Sequence, residues 1–211
     1  MSFASARLRW IKVHDAAVAN VAASQRQIDG DPAMPQITTL AELAPMTQMT
    51  TRDGTVLTVR AAFSEDEGVL ADFFDKVSPE DRRFRFLTAI GHLEHAQLQP
   101  LTHVDHWRTE SFVAFDATTG EIVASAMLAC DPRMQTGEIA VSVRSDYRGR
   151  GVGWTMLDLL AAEADRRGLE RVISIEDRDN HAAIELEREK GFEAHGLDGD
   201  PHLVLLEKRF A

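Results

Sequence analysis

Val141-Ser142-Val143-Arg144-Ser145-Asp146-Tyr147-Arg148-Gly149-Arg150-Gly151-Val152-Gly153 is the stretch that decides how this chain folds. It begins as an alternating strand and passes into a turn with three glycines. It then opens into a helix, where Val152, Met156, Leu159 and Leu160 recur at helical spacing. The first turn of a helix leaves backbone N–H groups unpaired, and its dipole end is positive. Glycines there let an anion come close to the backbone. Arg144, Arg148 and Arg150 add three positive charges within seven residues. The segment reads as a site for a phosphate-bearing ligand; the plainer reading is a tight turn with solvated arginines.

Two nucleotide motifs fit badly. A P-loop ends in Gly-Lys-Ser/Thr, whereas Gly151 is followed by Val152-Gly153-Trp154. A dinucleotide fingerprint starting at Gly149 needs glycine at position 154, which is tryptophan. The turn also comes late in the chain, after several strands joined by short turns.

Outward from this turn, the chain alternates helices and strands. Val56 to Arg60 alternates like a strand after the turn pair Asp53-Gly54. Ser64-Glu65-Asp66-Glu67 is a helix-start signature with Ser64 as N-cap, and Ser78-Pro79-Glu80-Asp81 repeats it with proline at the first helical position. Gly91 to Arg108 reads as a looser segment. Strands follow at Ser111–Phe115, Ile122–Ala129 and Gly137–Val143, with Thr119-Gly120 marking a hairpin. The helix after the glycine turn ends at Arg166-Arg167-Gly168. Val172–Ile175 is a short strand, Asn180–Lys190 a helix closed by Gly191, and Leu203–Leu206 a last strand. The order β-α-α-β-β-β-α-β-α-β describes a mixed α/β (α+β) domain around one sheet.

Residues 1–50 differ from the rest. Leu8 to Val21 reads as a short helix, and Gln25 to Thr51 as a polar linker or arm, so the expected division is an extension over 1–50 and a compact domain over 51–211. Residues 1–50 hold four basic and four acidic residues, so the whole formal charge of −11 falls on the remainder. Such an acidic body disfavours general nucleic-acid binding and attracts cationic groups. No apolar run approaches the ~20 residues of a membrane helix. The single cysteine, Cys130, rules out an internal disulfide. A cytoplasmic protein is expected, with no nucleic-acid or membrane partner and with its oligomeric state open.

Arg148-x-x-Gly151-x-Gly153, after a strand and opening a helix, resembles the acyl-CoA motif of the GNAT superfamily of N-acyltransferases. The second half agrees: Asn180 opens the next helix and Gly191-Phe192 closes it before the last strands. The resemblance covers residues 51–211 and implies a mostly antiparallel central sheet with flanking helices. Ser78 to Phe86, Leu101 to His106, and Gly137-Glu138-Ile139-Ala140-Val141 are further similar to the catalytic domain of bacterial protein-lysine acetyltransferases of the Pat type.

The resemblance implies acetyl-CoA as donor and an amine as acceptor. It places the pyrophosphate at Arg148, Gly149, Arg150, Gly151, Val152, Gly153 and Trp154. Backbone groups of Val141 and Val143 would meet the pantetheine arm, and Asn180 its amides; helix capping is an equal reading for Asn180. Glu138 is the expected general base, since a lysine amine with a pKa near ~10.4 must lose a proton before it attacks. Many GNAT enzymes protonate the departing thiolate with a tyrosine in the helix before the final Gly-Phe. Glu187 stands where that tyrosine is expected, and Tyr147, the only tyrosine, sits beside the phosphate turn. Cys130 reads as packing rather than nucleophile. His92, His95, His103 and His106 form two His-x-x-His pairs with no closed zinc spacing, so no metal is expected. They read as polar loop residues or as the lining of the acceptor entrance. The acceptor is expected to be a protein lysine; a small amine, or an acyl-CoA-binding module without catalysis, are the alternatives.

Overall fold

The computed structural model describes residues 45–197 and 199–211. The helix expected at Leu8–Val21 and most of the arm lie outside the described residues. In chain order the elements are β1 (Thr47–Thr50), β2 (Val56–Ala61), α1 (Glu67–Asp75), α2 (Pro79–Phe86) and α3 (His95–Thr102). Then come β3 (Thr109–Asp116), β4 (Ile122–Cys130), β5 (Thr136–Val143), α4 (Val152–Arg166), β6 (Arg171–Asp177), α5 (His181–Glu189), β7 (Glu193–Gly196) and β8 (Leu203–Arg209). The eight strands make one sheet in the order β1-β2-β3-β4-β5-β6-β8-β7. Every adjacent pair is antiparallel except β5 and β6.

Two apolar clusters cover the two faces of this sheet. On one, Val152, Met156, Leu157 and Leu160 of α4 pack with Ala126, Leu128, Ile139, Val172 and Leu206 of the strands. On the other, Leu70, Phe73 and Phe74 of α1 and Leu98 and Leu101 of α3 pack with Val113 and Met127. Val113 and Met127 thus face away from α4, as the period of two along a strand requires.

Three elements were not expected. β1 lies in the stretch read as linker; it is short, polar and mostly exposed at the sheet's edge, so it has no alternation to betray it. α3 falls in the segment read as loose, where Pro100 inside the helix and two glutamines dilute its apolar face, Leu98 and Leu101. β7 is exposed at all four residues, at the opposite edge.

The start of the first helix also differs. Ser64 does not cap it; its hydroxyl donates to Glu65 instead. A 3-10 turn over Ser64–Asp66 leads in, and Asp66 anchors it by accepting from the Phe63 N–H at 2.9 Å and from both terminal nitrogens of buried Arg60 at 2.7 Å. Charge-assisted bidentate pairs of this kind are stronger than neutral caps. Ser78 does cap α2 as expected, accepting from the Asp81 N–H at 3.0 Å, with Pro79 at the first helical position.

Gly137 shows how closely β5 is packed. A Cβ there would lie 2.5 Å from Leu128 Cδ1 and 2.8 Å from Leu169 Cδ1. Gly137→Ala is expected to destabilise the fold by about 1–3 kcal/mol, the usual cost of overpacking. A lowered urea midpoint with an unchanged slope would register it.

Candidate active site

The site is built where the sheet comes apart. β5 and β6 pair only through Thr136, Gly137 and Glu138 against Arg171, Val172 and Ile173. Beyond that, β5 stays bound to β4 as far as Val143, and β6 stays bound to β8 as far as Asp177. Each strand is held by its outer neighbour while their facing edges separate. The result is a crevice with Glu138 at its apex, and with Val141 and Val143 along one wall. Backbone groups on such an opened edge are free to bind an extended ligand.

The glycine turn closes over the mouth of this crevice. Gly149 and Gly151 have φ of 75° and 84°, left-handed conformations that favour glycine. Gly151 is the N-cap of α4, and a Cβ on it would meet the Arg52 backbone N at 3.0 Å. A Cβ on Gly153 would lie 3.4 Å from Leu186 of α5 and 3.7 Å from Val143 of β5. The first turn of α4 therefore spans the gap between β5 and α5, with Val152 buried beneath it. Free N–H groups at this end, small residues and an open strand edge fit a ligand carrying phosphates at one end and an extended polar arm at the other.

The charges around the turn differ from the sequence expectation. Arg144 is buried and points away; it donates to Asp146 at 2.7 and 2.9 Å and to Glu121 at 2.7 Å. These bonds, that to Asp146 first, raise its pKa further and neutralise its charge locally. Arg148 and Arg150 remain at the surface, the first 3.2 Å from Asp81 and the second over the Tyr147 ring. Two unexpected cations replace Arg144. The guanidinium carbon of Arg52 lies 3.3 Å from the centre of the Trp154 ring, and Lys190 Nζ lies 3.6 Å from it. Two cations that close to one centroid must occupy opposite faces. Trp154 thus has a cation on each face at the start of α4, and Lys190 is also paired with Asp158 at 2.5 Å. Nothing local in the sequence joins positions 52, 154 and 190.

Carboxyl groups line the crevice more densely than Glu138 alone. Glu138 is partly buried, and burial pushes its carboxyl above the ordinary range, opposed by the Arg85 guanidinium from α2. Arg85 also acts on Glu176 of β6. Asn180 does cap α5, accepting from the Ala183 N–H at 3.4 Å, while its amide nitrogen donates to Glu176 at 2.7 Å. Glu187 is 4% exposed and faces Ser174. Burial pushes Glu176 up to about 7 and Glu187 up to about 8. The alternation Val172, Ser174, Glu176 along β6 was the available signal for Glu176, and the run Arg82-Arg83-Phe84-Arg85 for Arg85.

The other candidates have structural partners. The Tyr147 hydroxyl donates to Asp116 at 2.7 Å inside the core, and burial raises its pKa. Burial likewise pushes the Cys130 thiol up, against the needs of a nucleophile. His92 bonds Asp75, His95 and His103 approach Glu67, and His106 bonds Glu110. Among the described residues no group of three such side chains is placed to hold a metal ion.

Known proteins place this arrangement. Residues 77–192 match the Acetyltransferase (GNAT) family. An acetyltransferase of Pseudomonas aeruginosa is 31% identical over 137 residues, covering 64% of this chain and 73% of that protein. The crystal structure of the GNAT domain of S. lividans PAT superposes with a TM-score of 0.72 at 25% identity, covering 78% of this chain and 97% of that one. A cAMP-binding acyltransferase from Mycobacterium smegmatis shares the fold, with a TM-score of 0.56 at 22% identity; 81% of this chain covers 48% of that one. The chain belongs to the GNAT family and is an acyltransferase whose acyl donor is acetyl-CoA.

Proposed function

We propose that this enzyme moves the acetyl group of acetyl-CoA to the side-chain amine of a protein lysine, with Glu138 as general base. The observation that carries this reading is the position of Glu138. It stands at the apex of the crevice, at the last residue pair before β5 and β6 separate. On β5 it has the parity of Ala140, the partner of Met127, so it looks toward the α1–α3 face rather than toward α4. The donor enters beside α4, so the base meets the acceptor from the other side of the sheet.

The chemistry follows from this opposition. The amine gives a proton to Glu138, and its nitrogen attacks the thioester carbon. The carbon–sulfur bond then breaks, with its electron pair on sulfur. A backbone N–H on the free edge of β5 would polarise the carbonyl oxygen. Arg148, Gly149, Arg150, Gly151, Val152, Gly153 and Trp154 would hold the pyrophosphate; Val141, Val143 and Asn180 would line the pantetheine path. The acidic body draws a cationic acceptor toward the site. The likeness of residues 78–106 to Pat-type enzymes favours a protein lysine over a small amine. Among the described residues no helix is long and apolar enough to cross a membrane, in keeping with a cytoplasmic setting.

Acceptor choice is read by comparing kcat/KM for lysine-bearing proteins against polyamines, amino acids and aminoglycosides at saturating acetyl-CoA. A protein is expected to exceed every small amine by at least about tenfold, which needs only ~1.4 kcal/mol of extra transition-state contact. Equal or higher values for a small amine would overturn the lysine assignment while keeping the acetyl transfer.

A further inference from the structure

Acetyl transfer leaves a thiolate, and Glu138 faces the amine rather than the sulfur. The far wall of the crevice carries two carboxyls that the base step does not use. β6 turns Val172, Ser174 and Glu176 to the same face, and Val172 packs with α4 on that face. This is the side on which the donor enters. α5 lays Glu187 over Ser174, whose hydroxyl oxygen lies 2.9 and 2.7 Å from the two carboxyl oxygens. Ser174 stands two residues from Glu176 on the same face of β6, and Glu176 accepts from Asn180 at 2.7 Å. The four side chains form one line, Asn180–Glu176–Ser174–Glu187.

A serine hydroxyl has one hydrogen, yet both Glu187 oxygens touch it. With Glu187 protonated the bond reverses: its O–H donates to Ser174 and frees the serine hydrogen for Glu176 two residues along β6. Burial favours protons on this line, while the Asn180 amide and the Arg85 guanidinium oppose them at Glu176. Arg85 and Arg83 come from α2, and Arg83 is taken by Asp177 at 2.7 Å. β8 contributes Val204 and Leu206 opposite Glu176 and Ser174. Ser174 is 1% exposed, whereas Glu176 is only partly buried.

We propose that Glu176 is the acid that protonates the departing sulfur of CoA, and that Ser174 and Glu187 form the relay that refills it. This rests on the acetyl transfer proposed above. As the carbon–sulfur bond breaks, the sulfur takes the proton of the Glu176 carboxyl. The resulting carboxylate takes the Ser174 hydroxyl proton, and Ser174 takes the proton of Glu187. Glu187 regains a proton from solvent once the products leave. A thiol has an ordinary pKa near ~8.5. Glu176, held at about 7, is the stronger acid, so the transfer runs downhill.

The test needs no acceptor for its first arm. The full chain is saturated with CoA, and the thiol is titrated by the ultraviolet absorbance of its thiolate. In the wild type an ionised Glu176 beside the sulfur raises the thiol's midpoint. Glu176→Gln is expected to lower that midpoint by about one pH unit, the effect of removing a neighbouring like charge. An unchanged midpoint, with CoA bound, overturns the proposal. The second arm follows kcat for an amine acceptor. Glu176→Gln should lose about 10²-fold or more and lose the alkaline fall of the pH profile. Ser174→Ala removes a neighbouring hydroxyl that holds the Glu176 carboxyl down, so its alkaline limb should move to higher pH. If Glu176→Gln fails to fold, Ser174→Ala decides, and a limb that does not move overturns the proposal. Should wild type acetylate no amine, the proposed transfer fails, while the thiol titration still decides the role of Glu176.

Discussion

Glu138→Gln is expected to lower kcat by about 10² to 10⁴, the range set by a lost general base, while acetyl-CoA binds as before. The separation follows from where Glu138 stands. The glycine turn, Trp154 and the free edge of β5 would contact the donor, and none of them bonds to Glu138 among the described residues. Glutamine keeps the size and loses only the basic oxygen. The wild-type profile should rise with pH as Glu138 ionises, at a pH above that of an ordinary carboxylate because burial holds its proton. Arg85 limits that rise, so Arg85→Gln should move the acid limb further up. Calorimetry of acetyl-CoA binding and steady-state kinetics check both halves. Turnover unchanged in Glu138→Gln would remove it from the reaction.

A second large effect is on stability. Glu176 and Glu187 titrate at about 7 and about 8 when folded, against an ordinary 4.5. Between pH 4.5 and 8 the unfolded chain has released these protons while the folded protein still holds them. The folded state therefore binds more protons, and its stability falls as pH rises through this window. Below pH 4.5 both states are protonated at these groups and the penalty is absent; above about 8 it is complete. Glu187→Gln removes one of the two titrations. The variant and the wild type should differ little at pH 5, and at pH 9 the variant should be the more stable by on the order of a few kcal/mol. Urea unfolding at the two pH values reads this directly. A stability difference independent of pH would mean that Glu187 is not held protonated by the fold.

The sequence made the strand, glycine turn and helix legible and hid most of what surrounds them. These elements, over residues 141–153, are contiguous, so their spacing alone announces a strand, a glycine turn and a helix start. Ser78 capping α2 and Gly191 closing α5 could likewise be read from local chemistry. Arg144 shows where that reading stops. Its charge counts in the sequence, but Glu121, 23 residues away, and Asp146 remove it from the site. Arg52 and Lys190 reach Trp154 from opposite ends of the domain. The line from Asn180 to Glu187 exists only because α5 packs back on β6. β1 and β7 were illegible for another reason: edge strands bury little, so they carry no alternating pattern.

On the proposed mechanism, donor and protein lysine meet in one complex across the split between β5 and β6. The most direct measurement is the initial rate with acetyl-CoA and an acetylatable protein varied together, with CoA release and acetyl-lysine both counted. Intersecting double-reciprocal lines and one acetyl-lysine per CoA released are the predicted result. Parallel lines, or CoA released without acetyl-lysine, would contradict it.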